Sequence, residues 1–364
     1  MDGMNQSDFP NAIALVWGEI DGAESYTLYV SEDESFDSQC VIEETENSSY
    51  DVYNLYPKRT YYWKVVADSG EESSIKYFTT KDTIRYIYAE GGRNIRDIGG
   101  WNGLNEGMAY RGAQLDGHDP KYNACLTEKG IDVFLNDLKI KTDLDLRGDV
   151  GKNILGVDQV YAAIAAYMRA FTTDVAKYAT AVRAFADINN YPIYFHCAGG
   201  ADRTGTVAFI VEAIAGASEE DLSIDFELTT ASRFGSHFRY NVSTFLFADV
   251  VSTMKGYDGD TLQEKAENYA LNTLGLTRAE ASNIKSILGG NKVVFKNAED
   301  LTVGDTSVEL ANLNGQKLLC VTLNGNVIEG ASLSNDGVLS VILNKTGNGE
   351  IMFEDGNALS FVVS

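Results

Sequence analysis

Cysteine is scarce in this sequence. Four cysteines occur in 364 residues, at positions 40, 125, 197 and 320. Scattered thiols in this number are too few for a disulfide framework or for a cysteine-based metal cluster. We therefore expect Cys40, Cys125 and Cys320 to be ordinary buried or half-buried thiols.

Basic side chains and long apolar runs are also in short supply. Lys and Arg number 29 against 53 Asp and Glu, so the formal net charge is -24 at pH 7. This charge repels nucleic acids and anionic membrane surfaces at long range, and a phosphorylated ligand must be held by positive groups close to it. No apolar run reaches the roughly 18 residues of a membrane span, whereas the hydrophobic content of 44% predicts a folded chain.

Residues 8–82 have the pattern of a small all-β module. Apolar residues alternate with period two in short runs, and turn sequences such as Asp21-Gly22 separate these runs. Short strands joined by tight turns predict a β-sandwich. The order of apolar residues resembles a fibronectin type III domain, through Leu15, Trp17, Tyr26, Leu28, Leu55, Tyr61, Trp63 and Val65. Because nothing in this module carries catalytic chemistry, we expect a spacer or a docking module for a protein or glycan.

The segment 191–205, YPIYFHCAGGADRTG, combines a strand, a glycine-bearing loop and the start of a helix. The apolar run at 193–195 predicts a buried strand, and residues 204–216 predict a buried helix. Cys197 and Arg203 lie on the loop with two adjacent glycines, so backbone amides can turn inward and bind an anion at the helix N-terminus. In that field the pKa of a thiol falls from about 8.5 to roughly 3.5–7.5, which predicts a thiolate nucleophile.

The ten residues HCAGGADRTG, from His196 to Gly205, resemble the signature loop of the cysteine-dependent protein tyrosine phosphatase superfamily. The ending Asp-Arg-Thr-Gly is similar to a bacterial variant of dual or triple specificity, some members of which also accept phosphoinositides. The resemblance implies hydrolysis of phosphomonoesters through a phosphocysteine intermediate, with no metal and no cofactor. It implies that Cys197 is the nucleophile and that Arg203 binds the phosphate.

The same resemblance suggests roles for the other loop residues. Amides of the loop are expected to bind the phosphate oxygens, and they belong to Ala198, Gly199, Gly200 and Ala201. His196 is expected to orient the loop and lower the thiol pKa, or else to be a purely structural histidine. Thr204 is expected to offer its hydroxyl to the sulfur as a leaving group, or to cap the helix. The family often has Lys where this chain has Ala201, so we expect weaker binding of multiply phosphorylated lipid headgroups.

Two upstream motifs resemble those that precede the signature loop in the same bacterial family. The first, NIRDIGG, contains Arg96 and Asp97, which are expected to tie down a turn as an ion pair. The second, YRGAQL, contains Arg111, a candidate ligand of the substrate phosphate. Gly112 follows where the family usually has Ser, which leaves no hydroxyl for a contact there.

Protonation of the leaving oxygen calls for a general acid. In the Asp-Arg-Thr-Gly variant the aspartate of the loop is the usual candidate, so we predict Asp202. Many tyrosine phosphatases instead draw the acid from a separate mobile loop, and Asp145 and Asp149 are the alternatives of that kind. Asp145 also lies two residues before Arg147, on the same face of a strand, where the two are expected to pair.

The expected fold is multidomain, with an α/β phosphatase domain at 83–290 between two small β-sandwich modules. Within this domain we predict a sheet flanked by helices and a long helical stretch at 157–189, where apolar residues recur at helical spacing. The sequence DFEL, beginning at Asp225, resembles an acidic-aromatic helix of the family. Residues 291–364 alternate short runs with hairpin turns, which predicts the second sandwich; these turns contain Asn324-Gly325, Asn335-Asp336-Gly337, Asn348-Gly349 and Asp355-Gly356.

Three functions fit these observations. A protein tyrosine phosphatase, with phosphoserine and phosphothreonine as further substrates, is favoured because the nucleophile, the arginine and the acid are all present. A phosphoinositide or inositol phosphate phosphatase is the alternative enzyme. A non-catalytic surface or adhesion protein with a phosphate-binding module is the third reading.

The N-terminus and the flanking modules bear on location. The first residues, MDGMNQSDFPN, have neither the basic flank nor the apolar core of a signal peptide. Flanking β-modules suggest an exported bacterial protein, so we expect a secreted or cell-surface protein whose signal peptide is missing from this sequence. The cytoplasm is the alternative location.

Overall fold

The chain is described here by a computed structural model that covers residues 12–37, 40–231, 242–290 and 293–364. It divides into two compact units, one from Asp8 to Tyr88 and one that consists mainly of Ala89–Ser364. The larger unit contains both the helix-rich central region and the β-rich C-terminal segment.

The described part of the smaller unit consists of six strands in two antiparallel sheets. One sheet pairs β1 (Ile13–Val16) with β4 (Ser49–Val52). The other has four strands in the order β3 (Cys40–Thr45), β2 (Tyr26–Ser31), β5 (Thr60–Ala67) and β6 (Lys76–Thr79). Strand alternation buries Tyr61 and Val65, and the half-buried Trp63 packs against the same core. The resemblance to a fibronectin type III domain stays a prediction.

A five-stranded sheet lies at the centre of the larger unit. Its order is β10 (Asp158–Tyr161), β9 (Thr142–Asp145), β11 (Ile193–His196), β8 (Ala109–Gly112) and β7 (Arg96–Asp97). The first four strands are parallel, and β7 is antiparallel to β8. Parallel strands end at one edge of a sheet, so His196 at the end of β11 has Gly112 and Asp145 as its register neighbours. The loop after β11 is therefore central.

Seven α-helices of the larger unit lie among the described residues. They are α1 (Glu128–Asp132), α2 (Val175–Arg183), α3 (Asp202–Ala215), α4 (Glu219–Leu228), α5 (Val242–Met254), α6 (Leu262–Asn272) and α7 (Arg278–Gly289). Four of them begin after a Ser or Thr whose side chain accepts a backbone N–H of the first turn, namely Thr127, Ser218, Thr261 and Thr277. Every residue of α3 from Thr204 to Ala215 is buried, so its N-terminus is held rigidly against the sheet edge.

The predicted long helix at 157–189 is wrong in its first half. Residues 158–161 form β10, and the chain continues to pair with β9 through the hydrogen bond from Ala162 N to Asp145 O (3.0 Å). Tyr167 has a φ of +61°, which a helix does not allow, and only a 3₁₀ turn follows it, at Tyr167–Phe171. The second half does contain α2. The apolar spacing came from side chains that enter the core from an edge strand and a loop.

The C-terminal segment forms two four-stranded sheets around a second core. One sheet contains β12 (Val294–Phe295), β13 (Ser307–Ala311), β17 (Val338–Ser340) and β16 (Ser332–Leu333). The other contains β15 (Asn326–Val327), β14 (Leu318–Leu323), β18 (Gly347–Phe353) and β19 (Ala358–Val363). Asn324-Gly325 forms the predicted turn between β14 and β15, but Asn348-Gly349 lies inside β18. Gly349 is needed there because a Cβ would lie 2.2 Å from the ring of Phe361.

The C-terminal sheets pack on α7. The side chain of the buried Asn283 donates to the carbonyl of Phe295 (3.1 Å) and accepts from its N–H (2.9 Å). The Ser282 hydroxyl accepts the N–H of Ser360 at 2.9 Å. These polar contacts tie the segment to the helical region within one compact unit. Within the described ranges, no helix is both long enough and apolar enough to cross a membrane.

Candidate active site

The loop between β11 and α3 presents Cys197, Arg203 and the glycines at the sheet edge. Cys197 is 3% exposed and follows directly after the fully buried strand. Arg203 and Thr204 are in the first turn of α3, so the helix N-terminus faces the same space as the thiol. This arrangement is the strand, loop and helix that the sequence predicted. A helix N-terminus and a guanidinium both favour an anion there.

Donors behind the loop hold its carbonyl groups outward. The Asn94 side-chain amide donates to the carbonyls of Gly199 (3.1 Å) and Gly200 (3.2 Å). The Arg111 guanidinium donates to the carbonyls of Gly200 (3.0 Å) and Ala201 (3.3 Å). Because a peptide unit is planar, an outward carbonyl turns the N–H of the next residue toward the inside of the loop.

The beginning of the loop is held in the same way. The backbone N–H of Gln114 donates to the carbonyl of Ala198 at 3.1 Å. His196 Nδ1 lies 3.1 Å from the carbonyl oxygen of Cys197. Every carbonyl from Cys197 to Ala201 therefore has a partner outside the pocket, which directs the loop amides inward, where amides bind an anion.

Close backbone packing explains two of the glycines near the loop. Gly200 has a φ of +69°, and a Cβ on it would lie 2.2 Å from the carbonyl carbon of Gly112. A Cβ on Gly112 would in turn lie 2.3 Å from the hydroxyl of Tyr194, which donates to the carbonyl of Ala113 (2.6 Å). The Tyr194 hydroxyl thus takes the space that a Ser side chain would need. Gly112 is the residue that fits.

His196 is buried between two acceptors. Its Nε2 lies 3.0 Å from the Asp143 carboxylate, and its Nδ1 faces the Cys197 carbonyl. Burial alone would lower the pKa of His196, but the charge and hydrogen bond of Asp143 outweigh burial and raise it to about 9. His196 is therefore protonated at neutral pH, so Nδ1–H can donate to the Cys197 carbonyl while Nε2 forms an ion pair with Asp143. This geometry suits a residue that orients the loop, and Asp143 is the partner that sequence reasoning missed.

The protonation of His196 predicts how stability depends on pH. Its pKa is raised in the folded state, so the stabilisation is complete below pH 6.5 and is lost as pH rises through about 9. We expect Asp143→Asn to cost about 3 kcal/mol in the free energy of unfolding at pH 7 and clearly less at pH 10. Urea unfolding at both pH values measures this, with the exposed Asp149→Asn as control. Equal costs at the two pH values would show that His196 is neutral at pH 7.

The Cys197 thiol is acidic for a buried group. Burial would raise its pKa, but Arg203, Thr204 and the backbone N–H groups of Thr204 and Gly200 lower it, and the pKa lies below its ordinary value. The amides of Gly200 and Thr204 thus turn toward the sulfur, in agreement with the outward carbonyls. A thiolate at the base of an amide-lined loop is a nucleophile placed under an anion site.

Asp202 is the first residue of α3, and its carboxylate accepts a hydrogen bond from the Tyr167 hydroxyl. Tyr167 is 8% exposed, and its backbone N–H donates to the Thr206 hydroxyl at 2.9 Å. Its ring packs edge-on against Phe226 at 6.4 Å. The positive φ of Tyr167 is a strained conformation, which proteins often keep near functional sites. Sequence reasoning missed Tyr167 because it was assigned to a helix.

The rival acids are placed differently. The Asp145 carboxylate is buried and forms the predicted pair with Arg147. It accepts hydrogen bonds from Arg147 Nε at 2.9 Å and Nη2 at 2.7 Å. Arg147 also reaches Asp116 at 3.0 Å. Asp149 is exposed on the turn after β9. Asp145 therefore serves a buried ion-pair network, whereas the Asp202 carboxylate lies at the N-terminus of α3 beside the Tyr167 hydroxyl.

These features coincide with a family match. Residues 87–289, more than half of the chain, match the sequence profile described as "Tyrosine phosphatase family". The chain belongs to the tyrosine phosphatase family. The search of curated proteins found no match to this chain.

Two solved structures are similar to this tyrosine phosphatase at a low level. One is the core catalytic domain of the PP-IP phosphatase SIW14 from S. cerevisiae in complex with citrate, at 14% identity over 42% of this chain and 88% of that chain, with a TM-score of 0.29. The other is titin kinase with its flanking domains, at 10% identity over 97% of this chain and 94% of that chain, with a TM-score of 0.16. Neither TM-score supports an argument, so the family rests on the sequence match.

The two upstream arginines of this tyrosine phosphatase do not have the contacts that the sequence suggested. Arg96 binds Asp225 at 2.8 Å and not Asp97, which instead accepts the N–H groups of Gly99 (3.0 Å) and Gly107 (2.7 Å). Arg111 is fully buried behind the loop, where it also pairs with Asp225. A side chain in that position holds the loop and is not the predicted phosphate ligand.

Other partners of the loop could have been suspected from their positions. Asn94 and Gln114 lie inside the two upstream motifs, and Asp143 lies two residues before Asp145 on the same face of β9. Asp225 belongs to the acidic-aromatic sequence that resembles the family. For Tyr167 the sequence carried no comparable indication.

Proposed function

We propose that this tyrosine phosphatase hydrolyses phosphomonoesters through a phosphocysteine intermediate, with phosphotyrosine in proteins as the preferred substrate and phosphoserine and phosphothreonine as further substrates. The observation that carries the proposal is the acidic thiol of Cys197 at the base of a loop whose carbonyls all face outward. Such a loop binds the equatorial oxygens of a phosphoryl group, while the thiolate is in line with the phosphorus.

The proposed reaction has two steps. The Cys197 sulfur attacks phosphorus and forms a P–S bond as the P–O bond to the leaving group breaks, while Asp202 donates a proton to the leaving oxygen. Water then attacks phosphorus and gives its proton to the Asp202 carboxylate, the P–S bond breaks, and Thr204 offers its hydroxyl to the departing sulfur. Arg203 binds two phosphate oxygens with its planar fork throughout.

The loop composition favours phosphotyrosine over phosphoinositides. Ala201 provides no cation beside the loop, and the chain carries a net charge of -24, which repels headgroups with several phosphates. A single phosphate on a peptide needs only the loop amides and Arg203. A phosphoinositide or inositol phosphate phosphatase is the second candidate, and a substrate panel separates the two.

Turnover of para-nitrophenyl phosphate in EDTA tests the proposal. Hydrolysis that continues with metals chelated agrees with a cysteine mechanism, and absence of hydrolysis would favour a phosphate-binding module without catalysis. A panel of phosphopeptides and phosphoinositides then ranks the substrates by kcat/KM. The proposal expects phosphotyrosine peptides first, and a clear preference for phosphoinositides would overturn that assignment.

The Tyr167 hydroxyl is expected to position Asp202. Tyr167→Phe keeps the ring against Phe226 and removes the hydrogen bond to Asp202, which predicts a fall in kcat for phosphotyrosine of about tenfold. The same change in an Asp202→Asn background should have little further effect, because the positioned group is already absent. Steady-state kinetics of the two single variants and the double variant measure this coupling. An equal loss in both backgrounds would assign Tyr167 a structural role alone.

A further inference from the structure

A cluster of four charged residues lies buried behind the phosphate loop, which we call the buried charge cluster. It consists of Arg96 on β7, Arg111 on β8, Glu212 on α3 and Asp225 on α4, each at most 3% exposed. The Asp225 carboxylate accepts hydrogen bonds from both guanidinium groups, from Arg96 Nε at 2.8 Å and from Arg111 Nη1. The arginines are thus held in fixed positions by one shared carboxylate.

Glu212 differs from the other members because its carboxyl group has no hydrogen bond. Among the described residues neither of its oxygens has a donor, although the side chain is fully buried. An ionised carboxylate without donors is very costly to bury, whereas a protonated carboxylic acid costs far less. Burial and the neighbouring Asp225 raise the pKa of Glu212 well above its usual range, although Arg111 and Arg96 oppose this. Asp221 also raises the pKa of Glu212.

Glu212 lies on the same face of α3 as Gly205, the helix residue next to Arg111. A Cβ on Gly205 would lie 3.2 Å from Nη2 of Arg111 and 3.3 Å from the ring of Phe226, so the glycine leaves room for the guanidinium group. Glu212 is seven residues further on, two helical turns along the same face. The glycine that ends the signature motif and the buried acid therefore flank one arginine.

We propose that Glu212 is kept as a neutral carboxylic acid, which leaves the buried charge cluster one net positive charge, and that Arg111 brings this charge to the back of the phosphate loop as a positioning residue. Two guanidinium cations then face the single carboxylate of Asp225. An ionised Glu212 would cancel the excess charge.

The excess charge acts on the loop directly. Arg111 binds the carbonyls of Gly200 and Ala201, whose peptide units carry amides on the inner side. It also interacts favourably with the Cys197 thiolate through space. In a buried, poorly screened setting this charge favours both the thiolate and a dianionic phosphate. The positive field thus reaches the pocket from behind, without exposing a further cation to solvent.

The purpose assigned to the excess charge rests on the proposed function, but the charge itself can be tested without turnover. Infrared spectroscopy at pH 7 should show the carbonyl stretch of a protonated carboxylic acid that disappears in Glu212→Gln. The pH dependence of Cys197 alkylation by iodoacetate gives the thiol pKa, and inorganic phosphate measures anion affinity. If turnover fails and these measurements succeed, only the proposed function is overturned.

The variants separate charge from shape. Arg111→Met should raise the thiol pKa by about one unit and weaken phosphate binding about tenfold, because the excess charge is lost. Glu212→Gln replaces a neutral acid by a neutral amide. It should change the acid dissociation constant of the thiol and the phosphate affinity by less than about twofold each. Should Glu212→Gln instead lower the thiol pKa and tighten phosphate binding about tenfold, or leave the infrared spectrum unchanged, Glu212 is ionised and the proposal is wrong.

Glu212→Gln keeps the test decisive if Arg111→Met does not fold. The glutamine has the shape of the acid, and thermal unfolding checks that the fold is retained. Arg111→Lys is the matched variant that keeps the charge but loses the fork, so it should hold the thiol pKa within about half a unit. A rise as large as that of Arg111→Met would show that only loop geometry matters and would overturn the role of the charge.

Discussion

Replacing Cys197 with serine is expected to reduce turnover by roughly 10⁶-fold, the loss seen when an enzyme is deprived of its nucleophile. Serine has nearly the same shape, but its hydroxyl does not ionise near pH 7. The outward carbonyls do not depend on the sulfur, so the loop keeps its amides inward. Hydrolysis of para-nitrophenyl phosphate and binding of inorganic phosphate measure the two properties.

Cys125 provides the matched control for this experiment. It is a free, exposed cysteine outside the loop, so Cys125→Ser should keep turnover at the level of the unmodified protein. Phosphate binding should survive in Cys197→Ser, and it should be at least as tight because the negative sulfur is gone. Turnover retained in Cys197→Ser would exclude a phosphocysteine mechanism.

The phosphate loop could be predicted from sequence because its chemistry and its fold are local. The spacing of Cys197 and Arg203, the glycines between them and the apolar runs on either side specify a strand, a turn and a helix start. Helix caps such as Ser218 and Thr277 are local as well, since each side chain accepts an N–H only three residues further along the chain. In each case the residues that decide the structure lie within a few positions of one another.

Contacts between distant segments could not be predicted in this way. Arg111 was expected to meet the phosphate because its motif resembles one of the bacterial family, but its position depends on Asp225, which is more than a hundred residues away in the chain. Whether an arginine points into the pocket or behind it is decided by helix packing, and spacing carries no information about that. The same holds for Glu212, whose environment is made by three other elements.

The segment around Tyr167 shows a different difficulty. Ile164 and Tyr167 are buried, and their spacing of three residues fits a helix face, but they reach the core from an irregular segment and a 3₁₀ turn. Alanine-rich sequence raises the helical expectation further. The positive φ at Tyr167 overrides it and directs the hydroxyl to Asp202. A residue next to the candidate acid was therefore hidden by an error in secondary structure.

The identity of the acid leads to the second large effect. If Asp202 protonates the leaving oxygen, Asp202→Asn should lower kcat for phosphotyrosine by roughly 10² to 10⁴. An activated ester such as para-nitrophenyl phosphate needs much less protonation, so its loss should be far smaller. The Tyr167 hydroxyl holds the carboxyl group in place for this step. Steady-state kinetics with leaving groups of graded pKa would measure the dependence.

Asp145, at the end of β9, and Asp149, on the turn after β9, provide matched controls. Asp145→Asn removes a carboxylate that already serves Arg147, and Asp149→Asn removes an exposed one. Any loss of rate in these variants should be insensitive to the leaving group, and the basic limb of the pH profile should remain. That limb reports an essential protonated group, so it should flatten only in Asp202→Asn. A leaving-group dependence that appears with Asp149→Asn and is absent with Asp202→Asn would place the acid on the loop after β9, as in tyrosine phosphatases whose acid comes from a mobile loop.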